Sequence, residues 1–277
     1  MSDTRPRDDT RPDDTHSDGA RQDHSWQDAL ATGRADRALQ HYLAVGAPNL
    51  DVQDTLDGLA AVQRHLRAKR YRKAEQTLEL LDVPPEPVSA VLPWGALPEL
   101  LETLRESNER LEHRDSGTAL ELLQDLDHPL VRAEADTQRG TAYIFQNDTS
   151  AAGECFDRAL EHDPNHYRAL TNQGNLALEA GDTDTAISRY ETALRLNEDF
   201  GNAHHNLAVA YRRKGQIGKS VSAMRKAQRA TQQHTTQEAR ATLSQAGQRF
   251  GGKAFKWLLY GVGAAVLFYI LQSRGIL

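Results

Sequence analysis

The fold is decided by the stretch YRALTNQGNLALEAGDTDTAISRYETALRLNEDF, which runs over 34 residues from Tyr167 to Phe200. Its apolar residues recur at intervals of three and four rather than in alternation, and this period favours helix over strand. Small residues stand at Gly174, Ala186 and Ala193. Small residues let two helices approach closely, so the stretch predicts a helical hairpin.

The same pattern lies directly before and directly after this stretch. Three blocks begin at Ala133, Tyr167 and Gly201, each 34 residues after the last. Positions eight, twenty and twenty-seven hold small residues: Gly140, Gly174, Ala208, Ala152, Ala186, Ser220, Ala159, Ala193 and Ala227. Position twenty-four holds the bulky residues Phe156, Tyr190 and Met224. A fixed period of this length indicates hairpins that stack into a solenoid.

This spacing resembles the tetratricopeptide repeat (TPR) family. The resemblance covers residues 133–234 and implies an all-α superhelical solenoid of repeats 133–166, 167–200 and 201–234. The sequence departs from the family in two places. Ala177 stands at position eleven, where Tyr143 and Tyr211 are bulky, and only Pro164 fills the usual proline position. These departures weaken single repeats without changing the predicted fold.

Weaker copies of the pattern precede the three repeats. Small and bulky residues recur there at the same spacing: Gly33, Ala38 and Tyr42; Ala74 and Leu78; Ala119 and Leu123. We therefore expect degenerate hairpins over residues 25–81 and 99–132. The Pro-rich segment 82–98 separates them as an insertion. Trp94 in this insertion is expected to anchor it to the solenoid by packing rather than by recognition.

The two flanks of the solenoid differ in character. Residues 1–24 are rich in Asp, Arg, Thr and Pro and almost free of large apolar residues, which predicts a disordered N-terminal tail. Residues 235–252 carry Ala239, Leu243, Ala246 and Phe250 at helical spacing, followed by Gly251 and Gly252. They predict an amphipathic capping helix and a joint, because the last hairpin of a solenoid would otherwise expose an apolar face.

The sequence WLLYGVGAAVLFYIL, from Trp257 to Leu271, contains no charged residue. Residues 253–272 are predicted to be a transmembrane helix. The apolar residues contribute about −2.4 to −4.8 kcal/mol to insertion, and a helix with the snorkelling Lys256 spans roughly 27 Å. The span is built on Trp257, Leu258, Leu259, Tyr260, Gly261, Ala265, Val266, Leu267, Phe268, Tyr269, Ile270 and Leu271.

Charges and aromatic residues orient this predicted span. Arg249, Lys253 and Lys256 precede it, and aromatic residues lie near both ends. The positive-inside rule then places the repeats in the cytoplasm, with the C-terminus as a tail anchor. The alternative is a terminal helix that packs on a partner or in a homodimer. A helix that is apolar on every face would need cover all round, which a solenoid end supplies poorly.

Composition argues against several kinds of chemistry. The net charge of −6 and pI near 6.0 give no overall basic field for nucleic acid. The single cysteine, Cys155, cannot form an internal disulfide. No phosphate-binding glycine loop or nucleophile motif is recognisable, and the pairs His204–His205 and His162–His166 have no third metal ligand beside them. We therefore expect no catalytic site, no metal and no cofactor.

Binding is the function that the resemblance implies. In such arrays, positions two, five, nine, twelve and thirteen line a concave groove. Here those positions are Glu134, Thr137, Thr141, Ile144 and Phe145; Arg168, Thr171, Asn175, Leu178 and Glu179; and Asn202, His205, Val209, Arg212 and Arg213. The groove becomes more basic toward its C-terminal block, so an extended peptide with an acidic part near Arg212 and Arg213 is expected. The basic carboxylate clamp of chaperone-binding relatives is not supported, since Asn202 and Asn206 stand at its positions.

The sequence thus predicts a non-enzymatic, membrane-anchored scaffold that binds proteins or peptides at the cytoplasmic face of a membrane. The runner-up is a soluble co-chaperone or assembly factor whose apolar tail packs on a partner. A homo-oligomer is compatible with both. The layout is similar to that of tail-anchored repeat adaptors, although only the architecture carries over.

Overall fold

The computed structural model describes residues 26–46 and 49–249, and all regular structure among them is helical. A helical turn over 26–31 comes first. Twelve helices follow: α1 Ala35–Val45, α2 Leu50–Arg67, α3 Tyr71–Glu79, α4 Glu86–Ser89, α5 Leu97–Glu112, α6 Ser116–Leu123, α7 Arg132–Phe145, α8 Thr149–His162, α9 Tyr167–Glu179, α10 Thr183–Leu196, α11 Gly201–Arg213 and α12 Ile217–Arg249. The predicted all-α hairpin architecture is confirmed in the described residues.

The turns between α7 and α8 and between α9 and α10 share one local design. The residue before the cap has a positive φ, as at Asn147 (62°) and Gly181 (87°). An aspartate then caps the second helix: the carboxylate of Asp148 accepts from the Ala151 amide at 3.0 Å, and that of Asp182 from the Thr185 amide at 3.0 Å. A left-handed residue ends one helix and an N-cap starts the next, so the sequence makes a sharp reversal in the first two regular repeats.

The small and bulky positions meet inside each hairpin, as their spacing predicts. A Cβ placed on Gly174 would lie 2.6 Å from Cε1 of Tyr190, which is too close for any side chain. Gly140 faces the ring of Phe156 in the same way. Both rings are almost fully buried. Each aromatic side chain therefore fills the space that a glycine on the facing helix leaves open.

The chain divides into two units, residues 1–197 and 198–277. In the first unit, the degenerate hairpins share one core cluster with the proline-rich insertion. Val88 and Leu92 of the insertion are buried, and Trp94 packs against the cluster. The packing role expected for Trp94 is confirmed. Helix α5 starts at Leu97, so the insertion ends slightly before the predicted boundary.

Gly33 forms the turn between residues 26–31 and α1. Its φ is +80°, in the region that favours glycine, and a Cβ there would overlap the carbonyl oxygen of Pro129. The side-chain amide of Gln63 also donates to the carbonyl oxygen of Gly33 at 2.6 Å. This turn therefore lets distant parts of the first unit pack at close range.

The described part of the second unit consists of α11 and α12. Helix α12 has 33 residues, so it is about 50 Å long. The capping segment expected over 235–252 does not form a helix of its own in the described residues, because α12 runs through it without a break to Arg249. This corrects the expected separation of the third repeat from its cap.

Two predicted segments lie outside the described residues. They are the N-terminal tail 1–24 and the apolar span 253–272. Within residues 26–46 and 49–249, none of the helices combines the length and the apolar character that crossing a bilayer requires.

Candidate protein-binding site

The predicted groove residues lie on α7, α9 and α11, the first helix of each regular repeat. In the first unit, positions two and five are buried rather than open. Glu134 is 2% exposed, Thr137 0%, Arg168 9% and Thr171 3%. A peptide has no access to these four side chains in this structure.

Glu134 lies at the centre of a buried polar network. The Tyr71 hydroxyl donates to its Oε1 at 2.5 Å. Nη1 of Arg168 lies 3.2 and 3.1 Å from its two carboxylate oxygens. Nδ1 of His166 accepts from the Ala169 amide at 3.3 Å, which leaves Nε2 to donate to Glu134 Oε2 at 3.0 Å. The carboxylate is thus satisfied by groups from two other helices, the first residue of α3 and the N-terminal end of α9.

Opposing electrostatic effects act on this carboxyl group. Burial opposes its ionisation, but the Arg168 guanidinium and the hydrogen bonds from His166 and Tyr71 outweigh burial and lower the pKa of Glu134 to about 2. Burial and the neighbouring Glu134 charge raise the pKa of Tyr71 well above its ordinary value. Glu134 is therefore held as a carboxylate beside a neutral phenol and a cationic guanidinium.

The N-terminal helices supply the rest of the cover. Nη1 of Arg168 also donates to the carbonyl oxygen of Leu66 at 3.2 Å, at the end of α2. Nε and Nη2 of Arg67 donate to the two carboxylate oxygens of Asp163 at 2.6 and 2.9 Å, and Nη1 pairs with Asp36. The end of α2 and the start of α3 therefore bind the position-two residues that the groove was predicted to offer.

Positions nine to thirteen of the first unit are less enclosed. Asn175 is half-buried, and its side-chain oxygen accepts from the Tyr190 hydroxyl at 2.8 Å. Thr141 and Ile144 are half-buried and Leu178 is buried, whereas Glu179 is exposed. The Phe145 ring is 37% exposed, with the guanidinium of Arg114 5.3 Å from its centroid. The accessible part of this face in the first unit is therefore confined to the ends of α7 and α9.

The second unit presents its groove positions differently. Asn202, His205, Arg212 and Arg213 are exposed, and Val209 is half-buried. The neighbouring His204 points inward, with Nε2 2.8 Å from the carbonyl oxygen of Glu198. The arginine pair predicted to meet an acidic ligand thus lies on an accessible surface of α11.

The histidines do not converge on a common point. His166 contacts Glu134 at 3.0 Å, and Nε2 of His162 lies 3.9 Å from Asp136. Within the described ranges, no group of three His, Cys, Asp or Glu side chains is arranged to hold a metal ion.

Sequence reasoning missed the partners of Glu134 and Arg168, which are Tyr71, Gln138, His166 and the carbonyl oxygen of Leu66. It also missed the ion pair of Arg67 with Asp163. One signal was available. Glu134 and Arg168 occupy the same position in consecutive repeats with opposite charges. Neighbouring repeats bring equal positions close together, so this pair could have been predicted as an ion pair. The contact between Tyr71 and Glu134 could not have been predicted in this way, because the tertiary fold decides where the degenerate segment around Tyr71 packs on the repeats.

Comparisons with known proteins support the repeat assignment. The tetratricopeptide repeat family matches residues 137–184 and 171–235. An uncharacterised protein of Haemophilus influenzae is 30% identical over 77 residues, which are 28% of this chain and 43% of that protein. A DnaJ homolog subfamily C member 7 homolog of Schizosaccharomyces pombe is 29% identical over 111 residues, 37% of this chain and 23% of that protein. This chain thus spans less than half the length of each of these relatives.

Solved structures also match. A crystal structure of MamA is 18% identical and has a TM-score of 0.40. The match covers 76% of this chain and 96% of the MamA chain. A second MamA structure is 19% identical. The match covers 66% of this chain and 95% of the MamA chain, and the TM-score is again 0.40. The repeat assignment rests on the family match, which identifies tetratricopeptide repeats within residues 137–235.

Proposed function

We propose that the protein is a non-enzymatic scaffold that binds partner proteins through its third repeat and is anchored to a membrane by residues 253–272. The observation that carries the binding proposal is the exposure of the groove positions of α11, Asn202, His205, Arg212 and Arg213. Repeat arrays of this kind recognise extended peptides with the first helix of each repeat. The partner is a peptide segment with acidic side chains, which complement the two arginines.

The closed face of the first unit supports the same location for binding. Its position-two residues, Glu134 and Arg168, are bound by the chain's own Tyr71 and Leu66. A peptide would have to displace a buried ionic network to reach them, and breaking such a network costs several kcal/mol. The first unit then holds the scaffold together while the second recruits the partner.

Binding is tested by capture of proteins from detergent extracts with the full chain and with the double variant Arg212→Glu/Arg213→Glu. The matched control is Arg72→Glu/Arg189→Glu, which reverses two exposed arginines of α3 and α10. A partner held at the third repeat is lost from the first variant and kept by the control. Equal loss from both variants, or from neither, contradicts the proposal.

The membrane proposal rests on the sequence of the tail. The uncharged run from Trp257 to Leu271 is long enough to span a bilayer with its flanking residues. Two aspartates near the centre, in the variant Val262→Asp/Val266→Asp, cost about 5 to 7 kcal/mol on the insertion scale and exceed the favourable term. We expect the full chain to resist an alkaline wash of the membranes and the variant to be released by it.

A soluble co-chaperone or assembly factor is the second candidate. It is favoured by the similarity to a DnaJ homolog subfamily C member 7 homolog over 111 residues. In this case the apolar tail packs on a partner protein, and the same wash discriminates the two functions. Release of the unaltered chain at alkaline pH supports the second candidate.

A further inference from the structure

Charge is divided very unevenly along the chain. Residues 1–197 carry 21 Lys and Arg against 36 Asp and Glu, a net charge of −15. Residues 198–277 carry 12 Lys and Arg against three acidic residues, a net charge of +9. From position 200 to 237 there are seven basic residues and no acidic residue at all. The second unit therefore attracts anionic surfaces that the residues of the first unit repel.

The basic residues of α12 form a continuous face. Ser220, Ala223, Ala227 and Ala230 are the buried side of this helix. Lys219, Arg225, Lys226 and Arg229 are exposed on the other side, and at 100° per residue they fall within an arc of about 120°. These four residues are called the basic face. Within the part of the chain that the structure describes, no carboxylate forms an ion pair with any of them.

Apolar side chains border the basic face. Ile217 and Val221 are 58% and 46% exposed and lie one helical turn apart. Lys219 rests on the Tyr211 ring, with Nζ 5.3 Å from the centroid. An exposed helix with cations on one side and apolar residues beside them is typical of helices that lie on a membrane surface. The four cations of the basic face are spread along the helix. They can therefore contact several lipid headgroups in one plane, whereas a single acidic side chain would contact only one or two of them.

We propose that the basic face of α12 binds an anionic lipid surface and so holds the second unit against the membrane. The inference rests on the proposed membrane location, since the apolar segment 253–272 follows α12 along the chain and would bring it close to the bilayer. Juxtamembrane cations gain from the surface potential of anionic lipids, by roughly fivefold in partition for each residue. The attraction falls with ionic strength.

Lysine accessibility tests this contact in the full chain. The protein is reconstituted into vesicles of phosphatidylcholine alone or of phosphatidylcholine with phosphatidylglycerol. Acylation of Lys219 and Lys226 by a membrane-impermeant amine reagent is then followed by mass spectrometry. Lys73, exposed on α3 in the acidic first unit, is the internal reference. We expect Lys219 and Lys226 to react about fivefold more slowly on the anionic vesicles and molar salt to remove the difference.

The variant Arg225→Gln/Arg229→Gln keeps both reporter lysines and removes two cations of the basic face. It is expected to lose most of the protection at unchanged helix content. Equal reactivity on both vesicle types overturns the inference, and so does stronger protection by soluble polyglutamate than by anionic vesicles, which would assign the face to an acidic protein.

A different result is expected if residues 253–272 do not anchor the chain. The chain then does not float with pure phosphatidylcholine vesicles. Lys219 and Lys226 are still protected from acylation on anionic vesicles if the basic face binds them.

Discussion

The two units present equivalent repeat positions in opposite ways. At position two, Arg168 of the first unit is buried against Glu134, whereas Asn202 of the second is exposed. At position five, Thr171 is buried and donates to the carbonyl oxygen of Tyr167 at 2.9 Å, whereas His205 is exposed. The repeat position of a residue therefore does not by itself determine whether that residue is accessible to a ligand. What packs over it decides whether it stabilises the fold or remains available to a ligand.

The largest expected effect follows from breaking the buried pair of the first unit. Arg168→Met leaves the Glu134 carboxylate without its cation, and we expect the free energy of unfolding to fall by about 3 to 5 kcal/mol. Urea unfolding measures this. The double variant Glu134→Leu/Arg168→Met removes both charges and should recover much of the loss, because an apolar pair of similar volume can replace a buried ion pair. A double variant as unstable as the single one contradicts the pairing.

The pH dependence of stability should also be concentrated in the first unit. The pKa of Glu134 is lowered to about 2 from an ordinary value of 4.5. A lowered pKa stabilises the folded state above pH 4.5, and this stabilisation, about 3 kcal/mol, is lost as the pH falls from 4.5 toward 2. Glu134→Gln should therefore flatten the dependence of unfolding free energy on pH in this range. Glu154→Gln, an exposed substitution on α8, should retain the slope of the unaltered protein.

A smaller effect is expected where the N-terminal helices meet the repeats. Tyr71→Phe removes the hydroxyl that donates to Glu134 and accepts from Gln138 Nε2 at 3.0 Å. Loss of a hydrogen bond to a charged group costs about 2 kcal/mol. The half-buried Tyr143 provides the control variant Tyr143→Phe, which leaves the network intact. If both variants unfold at the same denaturant concentration, the contact of α3 with the repeats does not stabilise the closed face.

The smallest effect on stability is expected in the second unit. Arg212→Ala truncates an exposed side chain at the end of α11. Surface substitutions of this kind usually change the unfolding free energy by less than about 0.5 kcal/mol. The variant should therefore unfold like the unaltered protein while its affinity for an acidic peptide partner falls. A large loss of stability would show that this surface is structural like that of the first unit.

The sequence predicted the hairpins because the residues that pack inside a hairpin lie close together along the chain. Gly174 and Tyr190 lie 16 residues apart and meet across one turn, so a fixed period identifies both. It did not predict that Arg67 binds Asp163, since these residues are 96 positions apart. The uninterrupted α12 was also missed, because nothing in its composition distinguishes a helix that ends from one that continues. Local spacing thus predicts the repeats, whereas closure of the groove depends on long-range packing.

The most direct test of the contrast between the units compares the same substitution at the same repeat position. Arg168→Ala and Asn202→Ala both truncate position two, and urea unfolding followed by circular dichroism reports both units. We expect Arg168→Ala to lose at least about 3 kcal/mol and Asn202→Ala to lose less than about 0.5 kcal/mol. Equal losses in the two variants would contradict a buried structural face in the first unit and an open binding face in the second.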